Sequence, residues 1–549
     1  KYLGLVGDVR ISQAASVKPG QNLQIVLGTP ESYPELTELF PEDLEYLADS
    51  DGFAVRQIDN IIYIFAAEYK GVINGVYDFL EENAGIIWTR GVEELGTLYE
   101  TAETVAVKKA DYREKSPFRY RTWNSCGMGS TGIHHIDQDY TYFEARNKIN
   151  MGGDEIGTQI IDGVKYNLAG SIINSGTATL WIDKYFDEHP EYFMTDKFGE
   201  PLRNQYGSNL NFYSMEAAEA LAAELIALSE KQGSNIVDHG IQDNQHFCMI
   251  VDDGEGGKVD LVSLPFTTED GVTVTPDMKN YKSTVFFNFL NHVARTIKKT
   301  NPDIRITTLS YIYTETPPAM PIEDNIIIVF APIYADDHAP ITAPSNASTK
   351  ANLDGWAKLT KNVMVYNYYF SLPSTIYSRP IAKKVQADLQ YYASLGLLGL
   401  HPEGNVDSSI EDSDSNKAWD MNTMYMWEMN QLFWDPYLDL DELTRKYCKL
   451  AYGEAADDMY RYYELIQEGW DSDDSYVWYT TGADTYIKKL VIDAGVADEV
   501  LTCLDSAYEK TDGVEQKRIA PIRQTMHEQI DLFTDFETEG GVAYYNESG

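Results

Sequence analysis

From Ser116 onward the chain alternates short apolar runs with amphipathic helices for over three hundred residues. The runs are FRYRTW (118–123), YNLAGSII (166–173), NIVDHGI (235–241), IRITTLSYIY (304–313), NIIIVFAPIY (325–334), NVMVYNYYF (362–370) and GLLGLHPEG (396–404). Strands separated by helices pair in parallel, because each helix returns the chain to the edge from which the previous strand began. This many repeats predicts an α/β chain built on a central (β/α)8 barrel of the TIM type rather than an open sheet. Seven of the eight strands stand out, and the second is weakly marked. The helix over 214–232 is the clearest: Ser214 can cap it, Met215, Ala218, Leu221, Leu225 and Leu228 share a face, and Gly233 ends it.

Two regions flank the repeats. Near the start, residues 23–28 and NIIYIFAA (60–67) read as strands, and ELTELF and EDLEYLA as helical turns. KGVINGVYDFLEENAG (70–85) reads as a helix with Val72, Val76, Phe79 and Leu80 on one face and Gly85 at its end. A small N-terminal α/β domain over 1–112 is therefore expected, followed by the barrel over 113–420. From residue 421 helical patterns take over, giving a C-terminal helical region over 421–549. Trp434, Asp435 and Pro436 mark a break there, and Asp441 starts the next helix. A chain of 549 residues exceeds the size at which a single hydrophobic core stops growing, in keeping with such a division. The insertion 251–277, rich in Gly, Asp and Thr, is long enough to belong to a site or a lid.

Charge and motifs then exclude several functions. Lys and Arg number 43 against 86 Asp and Glu, a net charge of −43. Phosphate backbones and anionic membrane surfaces both need basic partners, so nucleic acid and membrane binding are not expected. No apolar run reaches the ~18 residues of a membrane span. The sequence begins at Lys1 with no charged-then-apolar leader, so no signal peptide is read in it. Cys126, Cys248, Cys448 and Cys503 are far apart with no CxxC, which argues against a zinc knot or a disulfide framework. GxSxG, HExxH and P-loop motifs are absent. The acidic loops at 251–255 and 407–414 lack the D-x-D-x-D-G frame, so no metal and no cofactor is expected. Cys248 lies near His239 and His246, but acidic surroundings oppose a thiolate nucleophile.

The polar residues gather where a barrel places its active site, just past the carboxyl ends of the strands. The fourth strand runs into IVDHGIQDNQHFC (236–248), where His239, Gln242, Asp243 and Asn244 follow in close succession. The first strand leads to Trp123 and Asn124, the sixth to Tyr334, the seventh to Asn367 and Tyr368, and the eighth to His401 and Glu403. Ahead of the second strand, MGGDEIG carries Asp154 and Glu155, which as strand neighbours would point to opposite faces. Carboxylates converging on one mouth among aromatic rings suit glycoside hydrolysis, in which one carboxylic acid protonates the leaving oxygen and a second group attacks, activates water or steadies positive charge. The 39 Tyr, 20 Phe and 9 Trp offer flat faces that fit sugar rings, although most tyrosines in any protein simply pack.

Several stretches carry a family resemblance. YKGVINGVYDFLEENAGIIWTRG (69–91) resembles the end of the small N-terminal domain shared by hexosaminidases and α-glucuronidases. ARNKIN (145–150), YFDEHPEYFM (185–194), NPDIRITTLSYIYTETPP (301–318), NIIIVFAPI (325–333), NLDGWAKLTKNVMVYNYY (352–369) and LFWDPYLDLDELTRKYCKLAYG (432–453) are similar to the DUF4838 family. Part of that family is glycoside hydrolase family 163, endo-β-N-acetylglucosaminidases of complex N-glycans. The resemblance carries Glu403 across as a catalytic carboxylate; Asp243, displaced by one position from the family pattern, is expected as its partner. It also implies a glycan or glycoprotein substrate, a substrate-assisted retaining route, and an extracellular or cell-surface location in a secreted, gut-bacterial setting. Sugar contacts would come from Trp123, Asn124, Glu155, His239, Gln242, Asn244, Tyr334, Asn367, Tyr368 and His401. Two other readings stay open: an exo-acting glycosidase on another host or plant glycan, and a glycan-binding protein without catalysis.

Overall fold

The computed structural model describes residues 1–8, 12–13, 17, 22–125, 143–150, 159–161, 164–166, 184–203, 209–241, 246–370, 379–404, 414–482 and 484–534. Six strands form one all-parallel sheet in the order Ile236–Asp238, Arg305–Ser310, Ile326–Phe330, Val363–Val365, Gly399–Leu400 and Tyr120–Arg121. These are the fourth to eighth expected strands in sequence, followed by the first. The eighth pairs with the first, Gly399 opposite Tyr120 and Leu400 opposite Arg121, as closure of a barrel requires. The sheet is thus a curled half-barrel. A full eight-stranded barrel goes beyond it. Tyr166 ends an antiparallel ribbon between Gln159–Ile161 and Val164–Tyr166, and 167–173 lie outside the described residues.

The strands are buried on both faces, as parallel strands covered by helices must be. All five residues of Ile326–Phe330 are buried. Alternation divides them: Ile327 and Val329 join Ala331, Ile333, Met364, Tyr366, Tyr368 and Tyr120 in an inner cluster. Ile326, Ile328 and Phe330 pack outward with Val363, Val365 and the helices. The outer layer includes the expected helix, Met215–Gln232, where Ser214 Oγ accepts the Ala217 N–H at 3.1 Å and Gly233 closes the end at φ 63°. The insertion folds as two hairpins, Ile250–Asp252 with Lys258–Asp260 and Phe266–Thr267 with Thr273–Val274.

The N-terminal sheet runs Gln24–Gly28, Ile61–Phe65, Phe53–Ile58, Tyr112–Glu114. Its last strand straddles the expected boundary at 112. Helix Tyr69–Ala84 covers it, with Gly71 and Gly75 at the closest approach. A Cβ on Gly71 would stand 2.3 Å from the Gly52 carbonyl oxygen, so only glycine lets the helix lie this close. The predicted apolar face splits: Val72 and Phe79 pack on Phe53, Ile62 and Ile64, whereas Leu80 joins Ile86 and Trp88.

Helix Asp414–Trp434 runs through residue 420, so the barrel and the helical region share an element. Its terminal Trp434 stacks on Phe53 of the N-terminal sheet at 5.8 Å and donates to Glu114 Oε2 at 3.0 Å. The next helix, Leu440–Tyr452, starts one residue before Asp441 because Asp439 is the cap, accepting the N–H groups of Asp441 and Glu442. Helices Ala456–Asp471, Asp484–Asp493, Ala497–Lys510 and Gly513–Thr534 follow, the second of them a π-helix. No helix among the described residues is long and apolar enough to cross a membrane.

A buried polar network joins the N-terminal domain to the first barrel strand. Arg121, fully buried, donates to the Asp51 carboxylate, to the Lys148 carbonyl at 2.7 and 3.1 Å, and to the Phe118 carbonyl at 2.7 Å. Lys148 in turn pairs with Asp78 at 2.6 Å, and that carboxylate holds its ammonium well above the usual range against burial.

Candidate active site

The eighth strand continues past its pairing with the first: Glu403 stands opposite Asn124 and Gly404 opposite Ser125, while Tyr368 bridges to Glu403 on the other side. Register then fixes direction. Gly399 faces Tyr120 and the interior, so His401 and Glu403, two and four residues on, face it too. On the seventh strand Met364, Tyr366 and Tyr368 share that side.

Glu403 is buried, and the Tyr366 hydroxyl donates to its Oε2 at 2.9 Å. The Tyr366 ring lies 5.6 Å from His401 and 5.2 Å, edge to face, from Tyr368. His401 is buried, and neither of its ring nitrogens has a hydrogen-bond partner among the described residues. Burial pushes it down to about 3, so it stands as a neutral imidazole with one donor and one acceptor to offer. A second interior carboxylate, Asp238 of the fourth strand, accepts from the Thr307 hydroxyl at 3.3 Å.

The exit of the seventh strand is pinned from behind. Arg379, wholly buried, donates to the Tyr368 carbonyl at 2.9 Å and pairs with Asp337 at 3.1 Å. Burial raises the Asp337 carboxyl, and the guanidinium opposes that rise. Asp336 accepts the backbone N–H groups of His338 and Val477, so both aspartates after the sixth strand are structural.

The structure brings together Glu403, His401 and Tyr368, with Asn124 as the strand partner of Glu403. Tyr334 is half-exposed at the end of the sixth strand. Three expected contacts turn away. Trp123 follows the inward Thr122, packs on Phe433 at 5.0 Å and donates its indole N–H to Asn430 Oδ1 at 2.8 Å. Asn367 spends its amide on the hydroxyls of Tyr369 and Tyr392 in the helix layer. His239 falls on the side of Val237, toward the helices, where burial pushes it down to about 4. Glu155, Gln242, Asp243 and Asn244 lie outside the described residues.

Sequence reasoning passed over Tyr366 and Asp238, which alternation alone would have found from Tyr368 and Ile236. It also passed over Trp478 and Tyr479, from the segment between the helices Ala456–Asp471 and Asp484–Asp493. Tyr479 packs on Tyr368 at 5.0 Å, and Trp478 donates to the Ile333 carbonyl. Nothing local in SYVWYT points to a barrel strand's exit 145 residues earlier. Among the described residues no three His, Cys, Asp or Glu side chains gather as a metal site would need.

A family model for a domain of unknown function, DUF4838, matches residues 93–464. The chain belongs to the DUF4838 family. This DUF4838 protein matches no curated protein in sequence. Solved structures similar to it are glycoside hydrolases. A family 89 enzyme from Clostridium perfringens, in complex with its substrate GlcNAc-alpha-1,4-galactose, shares 11% identity at a TM-score of 0.49, covering 94% of this chain and 64% of that one. A second family 89 structure from the same organism is 12% identical with a TM-score of 0.41, over 88% and 61% of the two chains. The beta-N-acetylhexosaminidase from Bacteroides fragilis NCTC 9343 is 12% identical with a TM-score of 0.41, over 81% and 94%. The chain therefore spans under two thirds of the length of the two family 89 proteins.

Proposed function

We propose that this DUF4838 protein is a glycoside hydrolase that cleaves a β-N-acetylglucosaminide, endo-acting on complex N-glycans of glycoproteins. One observation carries the hydrolase reading: a buried carboxylate, Glu403, held by Tyr366 at the carboxyl end of a parallel strand beside the imidazole of His401, which has no partner among the described residues. Burial without partners costs a polar group about 1–3 kcal/mol, and such a cost is tolerated where a ligand supplies the missing bonds. Sugar hydroxyls are ligands of that kind. The finer reading, the bond and the substrate, rests on the sequence resemblance.

In this reading Glu403 and Asp243 divide two tasks, protonation of the leaving glycosidic oxygen and orientation of the 2-acetamido group, with the assignment exchangeable. The acetamide oxygen attacks the anomeric carbon as the leaving oxygen takes the proton, and water then opens the cyclic intermediate with retention of configuration. The protein works outside the cell or at its surface, where glycoprotein substrates are met.

The test is mass spectrometry of products from a glycoprotein bearing complex N-glycans, with wild type beside Asp243→Asn and Glu403→Gln. Glycans cut within the chitobiose core by the wild type, and lost by about 10²-fold or more in folded variants, are expected. Terminal sugars released singly would make the enzyme exo-acting. No product from any glycan would refute the hydrolase.

A further inference from the structure

We infer that the segment 476–480 of the C-terminal region is part of the substrate site, an aromatic platform that binds an oligosaccharide beyond the sugar at Glu403; this rests on the glycosidase reading above. A continuous run of rings leads from the carboxylate to solvent. Tyr366 holds Glu403, and Tyr368 lies 5.2 Å from Tyr366. Tyr479 follows at 5.0 Å and 39°, Trp478 at 4.9 Å from Tyr479 and edge to face with it at 87°, and Tyr334 at 6.5 Å from Trp478 with the two rings near parallel at 19°. Exposure rises along the run, from 5% at Tyr366 to 50% at Tyr334.

The platform is built, not draped. The Trp478 indole donates to the Ile333 carbonyl, and its backbone N–H is held by Thr481 Oγ1 at 2.8 Å. Val477 is tied to the sixth strand's exit through Asp336 Oδ1 and the Asp337 N–H, and the Tyr476 hydroxyl donates to the Tyr334 carbonyl at 3.1 Å. Large aromatic faces held rigid at the surface cost little entropy when a ligand covers them. A sugar ring is matched to such a face: its axial C–H groups lie on the ring while its hydroxyls stay in water. The half-buried Tyr479 and Trp478 and the exposed Tyr334, 4.9 and 6.5 Å apart between the buried carboxylate and solvent, fit a chain of sugars rather than a single one.

The experiment measures binding by titration calorimetry in the Glu403→Gln protein, with a biantennary complex-type N-glycan beside N-acetylglucosamine. The glycan should bind more tightly than the monosaccharide. Adding Tyr334→Ala should weaken glycan binding about tenfold, roughly 1.4 kcal/mol. Tyr479→Leu should do likewise, while Tyr69→Ala, an exposed ring of the N-terminal domain, should not. Tyr334 is exposed enough that its loss does not threaten folding. Glycan affinity unmoved by both platform substitutions would overturn the inference, as would glycan binding no tighter than the monosaccharide. Hydrolysis by the wild type with that result would leave the hydrolase standing without its platform. Platform-dependent binding with no hydrolysis would do the reverse.

Discussion

Replacing Tyr366 by Phe removes one hydroxyl and little volume, and the geometry says what should follow. The Tyr366 hydroxyl lies 2.9 Å from Glu403 Oε2, with both side chains about 5% exposed. A hydrogen bond to a charged group in such surroundings is worth about 1.5–3 kcal/mol. If it serves to orient the carboxyl group for proton transfer to the leaving oxygen or for holding the acetamide, Tyr366→Phe should lower kcat by about 10- to 150-fold and leave KM nearly unchanged. The decisive measurement is a double-mutant cycle on initial rates of glycan release. Glu403→Gln alone should cost about 10²- to 10⁴-fold. Tyr366→Phe on top of it should cost less than about twofold, because the group it oriented is gone. An equal loss in both backgrounds would mean that Tyr366 acts on its own. A single Tyr366→Phe variant at wild-type rate beside an inactive Glu403→Gln would show that the bond does no positioning.

Two further predictions concern stability. Arg121→Met leaves the buried Asp51 carboxylate without its counter-charge, with only the Asn74 amide still donating to it, and takes the donor from the carbonyls of Phe118 and Lys148, so it should cost about 3–5 kcal/mol in urea unfolding. A cost under about 1 kcal/mol would show that the N-terminal domain is not held through this pair. Glu428, buried in helix Asp414–Trp434, is pushed up to about 8 by burial against the opposing bond from Thr444. The native state therefore keeps a proton that the unfolded chain releases near pH 4.5, and stability from this group is full below that pH and lost as pH rises toward 8. Glu428→Gln keeps the acceptor for Thr444 and should flatten the fall in unfolding midpoint between pH 5 and 8. Parallel pH profiles for the two proteins would refute that origin.

The strand-and-helix repeat was legible because burial on both faces leaves an unbroken apolar run such as IIIVF, and the helix ends because Ser214, Gly85 and Gly233 are chemically suited to their positions. The same two-sided burial hid the site's interior. A strand apolar on both faces carries no polar alternation to say which residues look inward, so a polar residue at its exit can be assigned to the mouth or to the helices with equal ease. Trp123, His239 and Asn367 were expected at the mouth and belong to the outer side. One fixed point resolves them. With Tyr120 inward, pairing to Gly399 carries the parity to His401 and Glu403, and pairing of Met364 with Gly399 carries it to Tyr366 and Tyr368. Thus a single inward residue, propagated through the observed register, exchanges Trp123 and Asn367 for Tyr366. The contribution of Trp478 and Tyr479 is of another kind. Their place is set by the Ile333 carbonyl and Asp336, more than 140 residues away, and no local pattern encodes a contact between a helical region's linker and a strand's exit.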